Sequence, residues 1–431
     1  MNILLLGSGG REHALAVKIS QSEMCKKLFI APGNAGTVEC GENVILNIND
    51  FRSVKEFILL NKIEFVIVGP EEPLVNGIID FFQNDNELKT VNILGPSSDG
   101  AMLEGSKDFA KQFMHRHQIP TASYRTFRKD ETVNAKNYLK TLKPPYVLKA
   151  DGLASGKGVL IAKTLEEANE NINEMLANSK FGVAGDKVVI EEFLDGIELS
   201  VFVLTDGLSY KILPEAKDYK RIGENDTGPN TGGMGAVSPV YFATKEFMRK
   251  VEDQIIRPTI DGLKKENIYY RGFLFIGLMN VDGNPFVIEY NVRMGDPETE
   301  VVFPRIQSDV VCLLKNAAIG ELENSELIID SMTAITVMLV SSGYPGEYKI
   351  GNEITIGNRT KGCFIYHAGT AIKNEKIVTN GGRVLAVTSF GKHIQEARAN
   401  AYEQIEKINF EGKSYRKDIG EDLLYNKQIR N

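Results

Sequence analysis

The sequence of 431 residues has no apolar run close to the ~18 residues that a membrane-spanning helix needs. Its start lacks a basic segment and its first apolar run stops after four residues, which predicts a β-strand rather than a signal peptide. The four cysteines form no Cys-x-x-Cys pair, so reduced thiols are favoured over disulfides or zinc ligands. The net charge of −7 lacks the basic excess of a general nucleic-acid binder. We therefore expect a cytoplasmic protein that binds neither membranes nor nucleic acids.

The length and composition indicate a multidomain globular enzyme. A single hydrophobic core rarely extends beyond roughly 250 residues, so this chain predicts about three domains. Hydrophobic residues make up 42% and charged residues 25% of the chain, as in soluble globular proteins. A local concentration of basic residues could still bind a small anionic substrate.

The stretch Phe286–Glu300 predicts a strand with one apolar and one chemically active face. Successive side chains of a strand point to opposite sides. The apolar set is Phe286, Ile288, Tyr290 and Val292, and the polar set is Glu289, Asn291 and Arg293. Glu289 and Asn291 are hard oxygen ligands suited to Mg²⁺, and Arg293 could bind a phosphate or an oxyanion. The alternative is an ordinary polar face exposed to solvent.

Residues 1 to about 98 alternate short apolar runs with amphipathic stretches, which predicts a parallel α/β sheet. The predicted strands are Ile3–Leu6, Leu28–Ala31, Phe65–Val68 and Val91–Leu94. The turn Gly7–His13 opens a helix whose backbone N–H groups could hold a phosphate. An NAD site is the alternative, but the Gly-x-Gly-x-x-Gly pattern fails at Glu12 and no acidic residue follows the second strand to bind a ribose.

Two further loops of this part, Pro32–Thr37 and Gly69–Pro73, follow predicted strands. Open α/β sheets bind ligands at the carboxyl ends of their strands. These loops are therefore candidate ligand loops, with plain tight turns as the alternative.

A glycine-rich hairpin follows in the second part of the chain. The strand Tyr146–Lys149 leads into Ala150–Gly158 and a second strand, Val159–Ala162. It is not a Walker A loop, because only three residues separate Gly152 from the Gly-Lys pair. Its N–H groups could bind phosphates beside Lys149, and we expect it to be mobile without nucleotide and ordered with it. A flexible surface hairpin is the alternative.

The next segments suggest a nucleotide hinge and a functional loop. The runs Val188–Leu194 and Gly196–Val203 predict strands whose connection could bind an adenine edge, with Glu198 on the ribose. The basic cluster Pro214–Arg221 precedes Asp226–Gly235, a predicted irregular loop with four glycines. A long irregular loop inside a compact domain is usually functional or disordered.

The remainder of the chain predicts core helices followed by a mostly β part. Phe247, Val251 and Ile255 form a helical stripe of core residues, and Asp309–Leu314 predicts a core helix. The predicted strands are Ala334–Val340, Ile354–Ile356, Cys363–Ala368 and Arg383–Val387. An amphipathic helix at about Lys392–Ile408 closes this part.

Several motifs together resemble one family, phosphoribosylamine–glycine ligase of the ATP-grasp superfamily, along almost the whole chain. The strongest are Gly7–Ala14, Pro32–Thr37, Leu148–Ala154, Gly228–Ala236 and Arg293–Glu298. Shorter ones are Gly343–Gly346, His367–Thr370 and Asn380–Leu385. One departure from the wider superfamily is the strand at Gly272–Met279, which carries no acidic metal ligand. Glu289 and Asn291 must therefore provide most of the ligation.

The resemblance implies an α/β and α+β multidomain protein. An ATP-grasp fold would follow a Rossmann-like parallel-sheet domain and precede a small, mostly β domain. The expected divisions are 1–104 for the Rossmann-like substrate domain, 105–194 for the small ATP-grasp subdomain, 195–328 for the main ATP-grasp subdomain and 329–431 for the C-terminal domain.

The resemblance also implies a reaction in purine biosynthesis. ATP, glycine and 5-phosphoribosylamine would give glycinamide ribonucleotide, ADP and phosphate through glycyl phosphate. The cofactor would be Mg²⁺ or Mn²⁺, the partners would be these small molecules alone, and a monomer is the working expectation. The alternatives are another ATP-grasp carboxylate–amine ligase or carboxylase of nucleotide metabolism, and a nucleotide-sensing module without turnover.

By the same resemblance, individual residues receive expected roles. Arg293 and Lys149 would be catalytic, and Glu289 and Asn291 would bind the metal. The expected ATP-binding residues are Lys107, Lys149, Gly152, Ser155, Gly156, Glu191, Leu194 and Glu198. The expected substrate-binding residues are Gly9, Gly10, Arg11, Glu12, Gly33, Asn34, Glu71, Asp218, Lys220, Arg221, Gly232, Gly233, Met234, Arg293 and Asp296.

Overall fold

A computed structural model describes residues 1–153, 158–177 and 186–425. The tip of the predicted glycine-rich hairpin, including Ser155 and Gly156, lies outside these ranges. Within them, no helix combines the length and apolar character needed to cross a bilayer.

The N-terminal part is the predicted parallel α/β sheet, and all four predicted strands are confirmed. Its strands are Asn2–Gly7, Lys27–Pro32, Glu42–Asn43, Phe65–Val68 and Asn92–Pro96. Every pairing among them is parallel. The helices are Gly10–Ser20, Phe51–Asn61, Glu71–Val75, Ile78–Asn84 and Ser98–Gly105, with a 3₁₀ turn at Thr37–Glu39. The first strand is almost wholly buried, as continuous apolar runs in parallel sheets require.

The second part is a four-stranded antiparallel sheet covered by helices. Its strands are Tyr124–Arg128, Tyr146–Ala150, Val159–Ala162 and Lys187–Glu191. Its helices are Lys107–Arg116, Thr132–Leu139 and Leu165–Ile172, with a 3₁₀ turn at Lys129–Glu131 and a π-helical turn at Asn173–Ala177. A small separate core, which includes Phe127, Leu148 and Ile190, lies between this sheet and its helices.

The central part forms antiparallel strands that continue the N-terminal sheet. Tyr270 and Arg271 pair with Pro96 and Gly95, so both parts share one nine-stranded sheet. The strands are Ile197–Thr205, Tyr210–Ile212, Lys217–Asp218, Arg221–Gly223, Thr227–Asn230, Gly235–Ser238, Tyr270–Val281 and Asn284–Asn291. The helices and helical turns are Glu224–Asp226, Lys245–Val251, Glu252–Ile256, Arg257–Lys265, Thr299–Val302, Phe303–Arg305, Val310–Ile319 and Leu322–Asn324.

The segment Asp226–Gly235 is more regular than predicted. Residues Thr227–Asn230 form a strand that pairs with Arg221–Gly223, and another strand begins at Gly235. The prediction of an irregular loop was wrong because a short, largely exposed hairpin has no apolar alternation that would reveal it. Only residues between these strands are irregular.

The C-terminal part is mostly β, as predicted, and its strands are Thr333–Ser341, Thr355–Ile356, Cys363–His367, Thr370–Lys373, Lys376–Thr379, Arg383–Gly391, Ile408–Asn409 and Lys413–Ser414. Its helices are Ile394–Glu406 and Asp422–Tyr425. Gly235–Ser238 pairs with Thr333–Ser341, so strands from before residue 328 extend the main C-terminal sheet. Strand pairing thus crosses the expected division between these parts.

The predicted core helices are confirmed. Phe247, Val251 and Ile255 are all buried. The predicted core helix spans Val310–Ile319, and the N–H of Cys312 in its first turn donates to the side chain of Asp309. The stripe and the helix both pack in the core, and neither contributes a side chain to the cavity described below.

Two buried histidines join the N-terminal and C-terminal parts. The backbone N–H of His367 donates to Nδ1 of His13 at 2.8 Å, and the two side chains are 4% and 6% exposed. Asn34 also crosses this contact, since its Nδ2 donates to the carbonyl of His367 at 2.7 Å. Burial, assisted by the charge of Arg359, lowers the pKa of His13 to about 3 and that of His367 to about 4.

This pair predicts a loss of stability in mild acid. Both imidazoles stay neutral in the folded protein, whereas an unfolded histidine takes up a proton near pH 6.5. As the pH falls from about 6.5 towards 4, the free energy of unfolding should drop by up to about 1.4 kcal/mol per pH unit for each histidine. Above this window both histidines are neutral in the folded and the unfolded protein, so they should not make the free energy of unfolding depend on pH.

Urea unfolding between pH 7.5 and 5 measures this slope. In His13→Asn an amide oxygen can replace Nδ1 as acceptor without titrating, so this variant should show a shallower slope. His115→Asn, at an exposed position on Lys107–Arg116, is the matched control. Equal slopes in the wild type and His13→Asn would contradict the assignment.

Candidate active site

A cavity of about 360 Å³ lies where the four parts of the chain meet. Among its lining residues are Arg11 and Glu71 from the N-terminal part and Lys107 and Lys149 from the second part. Glu289 and its neighbours come from the central part, and Arg383 comes from the C-terminal sheet. It is therefore a site that only the assembled chain creates.

The strand Asn284–Asn291 brings its polar end into this cavity, but its faces differ from the prediction. Val287 pairs with Leu278 and Glu289 pairs with Gly277, so Ile288 is the extra residue of a β-bulge. Val287 is fully buried, whereas Ile288 lines the cavity and Phe286 is only half-buried. Assigning Phe286 and Ile288 to the buried face was wrong, because a bulge reverses the alternation of side chains.

Glu289 and Asn291 lie after the bulge and do share the cavity face. Opposite Glu289, Gly277 has no side chain, and this leaves room for the Cγ of Glu289. The carboxylate of Glu289 makes no hydrogen bond or ion pair with any described residue. Although burial raises it, Lys220, Lys149 and Lys107 together hold the pKa of Glu289 below its ordinary value. Glu289 is thus an ionised carboxylate with free oxygen atoms.

This donor set fits a hard divalent cation. One free carboxylate and one amide oxygen suit Mg²⁺, which takes few protein ligands and completes its shell with water and phosphate oxygens. The Nδ2 atom of Asn291 is buried without a partner among the described residues, while its Oδ1 accepts from Arg293 at 3.1 Å. No group of three or more His, Cys, Asp or Glu side chains in the described ranges could hold a metal. Glu289 and Asn291 could hold such an ion with water and phosphate oxygens completing its shell.

Arg293 is held by two carboxylates beside the metal candidates. Its Nη2 donates to Glu104 at 2.7 Å and its Nε to Glu71 at 3.2 Å. Burial raises the pKa of Glu104, whereas Arg293 and Arg11 outweigh burial and lower the pKa of Glu71. The guanidinium is therefore fixed in place, with its charge partly compensated.

Lys149 belongs to a buried group of three charges. Its Nζ lies 2.9 Å from Oε1 of Glu191, and Lys111 Nζ lies 3.0 Å from Oε2 of the same carboxylate. Burial raises the pKa of Glu191, but the two lysines outweigh it and leave that pKa below its ordinary value. Burial lowers the pKa of Lys111 to about 8, because Glu191 is shared and compensates each lysine only in part. Glu191 thus serves as a counter-ion to the lysines of the cavity.

Lys107 lies at the start of Lys107–Arg116, one helical turn before Lys111, so both face the cavity. Its Nζ donates to the carbonyl of Gly152 at 3.2 Å, at the base of the glycine-rich hairpin. Burial lowers its pKa despite the nearby Glu289. The three lysines form one cationic wall.

An acidic wall lies next to these cations. Asp218 and Glu298 both line the cavity. Burial raises the pKa of each, against the charge of Lys220. Lys220 itself is ion-paired with Glu198. This side of the cavity has more carboxyl groups than cations and suits a ligand with a positive charge.

The first turn of the chain contributes Arg11 to the cavity wall, and this part of the wall is called the N-terminal end below. Glu12 turns back so that its Oε2 accepts from the N–H of Gly9 at 2.6 Å, and its Oε1 binds Arg11 Nε at 2.6 Å. A Cβ atom on Gly7 or Gly69 would overlap Glu12, so these glycines leave space for its side chain. Glu12 occupies the inside of the turn, and Arg11 is the residue that reaches the cavity.

The structure brings twelve of the predicted site residues to the cavity wall. They are Arg11, Glu71, Lys107, Lys149, Glu191, Asp218, Lys220, Gly232, Glu289, Asn291, Arg293 and Asp296. The other described ones lie outside its lining: Gly9, Gly10, Glu12, Gly33, Asn34, Gly152, Leu194, Glu198, Arg221, Gly233 and Met234. Met234 is a core residue at 1% exposure, and Arg221 donates to the carbonyl of Gly228. The strand before Leu194 ends at Glu191, three residues earlier than predicted.

Sequence reasoning missed several lining residues, above all Glu104, Lys111, Glu298 and Arg383. A spacing of four from Lys107 on a helix could have revealed Lys111. Glu298 lies inside a recognised motif but outside the strand pattern. Arg383 also lies inside a recognised motif, Asn380–Leu385, that carried no expected role. Glu104 had no local signal, because its contact with Arg293 reaches across the chain.

Three family profiles match the chain. The N domain of phosphoribosylglycinamide synthetase matches residues 1–104, its ATP-grasp (A) domain residues 105–299, and its C domain residues 334–422. Together these profiles cover most of the sequence.

Curated relatives agree with the profiles. The phosphoribosylamine–glycine ligase of Caldanaerobacter subterraneus subsp. tengcongensis is 45% identical over 419 residues, which is 97% of this chain and 99% of the relative. That of Pasteurella multocida is 46% identical over 424 residues and 97% of each chain.

Solved structures have the same fold. The phosphoribosylamine–glycine ligase of Thermotoga maritima superposes with a TM-score of 0.84 at 38% identity, covering 97% of this chain and 100% of the other. A biotin carboxylase domain of Hydrogenobacter thermophilus, solved with MgADP, has a TM-score of 0.73 at 18% identity, covers 96% of this chain and 91% of its own, and shows the fold alone. The predicted ATP-grasp architecture is confirmed. The chain belongs to the phosphoribosylamine–glycine ligase family of ATP-grasp carbon–nitrogen ligases in purine biosynthesis.

Proposed function

We propose that this enzyme ligates glycine to 5-phosphoribosylamine through glycyl phosphate, with conversion of ATP to ADP and phosphate. The observation that carries the proposal is one cavity of about 360 Å³, which brings together a cationic wall, an acidic wall and Arg11 of the N-terminal turn. The charges of its walls are complementary to an anionic nucleotide, an ammonium group and a sugar phosphate.

The cationic wall would receive the ATP phosphates. Lys107 and Lys149 place two positive charges beside Glu289, and phosphoryl transfer depends mainly on such positioning and charge neutralisation. Glu289 and Asn291 would hold Mg²⁺, or Mn²⁺ in its place, and the bound ion would neutralise charge on the phosphates. The hairpin that carries Gly152, Ser155 and Gly156 would cover them.

The acidic wall would bind glycine through its ammonium group. Asp218 and Glu298 are buried carboxyl groups with raised pKa values, and a bound cation would favour their ionised forms. The carboxylate of glycine would then face Glu289 and the lysines, where the γ-phosphate lies.

The N-terminal end would bind phosphoribosylamine. Arg11 offers a guanidinium there, and Glu71 and Asp296 offer acceptors for ribose hydroxyls. Because Glu12 already takes the N–H of Gly9, only the N–H groups of the following helical turn would remain for a phosphate. The amine would thereby point towards the activated glycine.

The proposed reaction has two steps. A carboxylate oxygen of glycine attacks the γ-phosphorus, the bond to ADP breaks, and glycyl phosphate forms. The amine of phosphoribosylamine then attacks the carbonyl carbon, the carbon–oxygen bond to phosphate breaks, and one amine proton is released. Arg293, fixed by Glu71 and Glu104, would stabilise negative charge on the tetrahedral intermediate.

Transfer of an oxygen atom from the glycine carboxylate to inorganic phosphate would test this path. The protein would be given ATP, Mg²⁺, glycine labelled with ¹⁸O in its carboxylate, and phosphoribosylamine formed in place from ribose 5-phosphate and ammonia. We expect ADP release that depends on glycine and inorganic phosphate that carries one ¹⁸O atom. Unlabelled phosphate would exclude glycyl phosphate. ADP release that depends on bicarbonate instead of glycine would favour the carboxylase alternative. The absence of ADP release under all these conditions would favour the sensing module.

We also propose that the enzyme acts as a cytoplasmic monomer without nucleic-acid or membrane partners. Light scattering during gel filtration would test the monomer. A mass that corresponds to two chains would contradict it.

A further inference from the structure

The three C-terminal motifs of the sequence, Gly343–Gly346, His367–Thr370 and Asn380–Leu385, carry no expected catalytic role. In the structure, two of them contact the wall of the active-site cavity at one residue, Gly232. The N–H of Gly232 donates to Tyr344 Oη at 3.0 Å, and its carbonyl accepts from Arg383 Nη1 at 2.6 Å. The backbone N–H and the carbonyl of Gly232 are thus both held by side chains of the C-terminal part.

Arg383 also fixes the neighbouring loop. Its Nη1 donates to the carbonyl of Asp296 at 2.8 Å, and its Nη2 lies 3.0 Å from the carboxylate of Asp296. Gly233 adopts a φ of +116°, and a Cβ atom there would overlap Pro297. The residues around Gly232 are therefore packed between Arg383 and the Asp296–Pro297 loop.

The local geometry of the sheet directs the side chain of Arg383 towards Gly232. The pairing of Arg383–Gly391 with Thr333–Ser341 shifts between Leu385 and Arg383, which leaves Val384 as an extra residue. Such a bulge redirects the side chain beside it. Gly382 has no side chain where the ring of Tyr344 lies, and a Cβ atom there would overlap that ring. The glycine motif and the bulge together bring both side chains to Gly232.

We propose that Tyr344 and Arg383 are positioning residues for phosphoribosylamine, which act by holding Gly232 and Asp296 in the cavity wall. Asp296 extends towards the turn of the first helix, since a Cβ atom on Gly9 would lie 3.1 Å from its Oδ2. The contact therefore lies at the N-terminal end of the cavity. This assignment depends on the proposed function, because that function places phosphoribosylamine at this end.

Tyr344→Phe is the sharpest test, since it removes only the hydroxyl and keeps the ring on Gly382. We expect it to raise the KM for phosphoribosylamine about tenfold and the KM for ATP less than about twofold. Arg383→Gln should raise the same KM about 100-fold, and Arg383→Lys should restore part of the loss. The control is Tyr348→Phe, because the Tyr348 hydroxyl makes no hydrogen bond with described residues.

Amide hydrogen exchange gives a second readout that needs no substrate. The N–H of Gly232 should exchange faster in Tyr344→Phe and remain as in wild type in Tyr348→Phe. An unchanged KM for phosphoribosylamine in Tyr344→Phe, or equal rises in the KM for both substrates, would overturn the positioning role. A wild-type protein without glycine-dependent ligation would instead overturn the proposed function, while exchange at Gly232 would still test the contact itself.

Discussion

Glu289→Gln is expected to reduce kcat on the order of 1000-fold, because a metal-bound phosphoryl site supplies several kcal/mol of charge stabilisation. The glutamine keeps the shape of the side chain but has no negative charge for Mg²⁺. In the protein itself the carboxylate has no hydrogen-bond partner among the described residues. The substitution should therefore change the free energy of unfolding by less than about 1 kcal/mol.

Steady-state kinetics across a Mg²⁺ titration, together with urea unfolding, would measure both effects. Glu326→Gln, at an exposed position with no side-chain hydrogen bond or ion pair in the described ranges, is the control for the loss of one charge. Near-normal Mg²⁺-dependent turnover in Glu289→Gln would show that the metal is held elsewhere.

Lys149→Ala is expected to weaken ATP binding about 10- to 100-fold and to lower turnover as well, since this lysine would meet phosphate oxygens in both ground and transition states. The structure adds a second consequence. Glu191 would keep Lys111 but lose its ion pair with Lys149, and the carbonyl of Ile288 would lose the donor that lies 3.1 Å away. Breaking one partner of a buried ion pair is costly, so the free energy of unfolding should fall by up to about 3 kcal/mol.

A double mutant separates these two consequences. Lys149→Ala combined with Glu191→Gln would leave Lys111 buried without its counter-ion, so stability should fall further while nucleotide affinity stays low. Calorimetric titration with ATP and urea unfolding would report the two quantities. Unchanged nucleotide affinity in Lys149→Ala would contradict the phosphate assignment, whatever the effect on stability.

The bulge at Ile288 illustrates where sequence patterns stop being informative. Alternation correctly placed Glu289 and Asn291 on one face, because no bulge separates them. It failed for Phe286 and Ile288, since the extra residue depends on pairing with Tyr270–Val281. The pattern of one strand contains no information about its partner strand. The face assignment is therefore wrong for the bulged residue and for the residues before it.

Long-range contacts explain the residues that were missed. Lys111 had a helical spacing to Lys107 that could have been used. Glu104 and Arg383 line the site and bind partners 189 and 87 residues away, Arg293 and Asp296. Such contacts follow from how the four parts pack together and leave no periodic signal.

The sequence by itself determined the parallel N-terminal sheet, the core helices, the family motifs and the chemical character of Glu289, Asn291 and Lys149. These properties depend on local periodicity, turn chemistry and residue type, which the order of residues contains directly. Tertiary structure decided that Glu191 is a counter-ion shared by Lys149 and Lys111, and that the C-terminal part holds Gly232. It did so because the direction and charge environment of a buried side chain depend on neighbours that are distant in sequence and meet only in the folded chain.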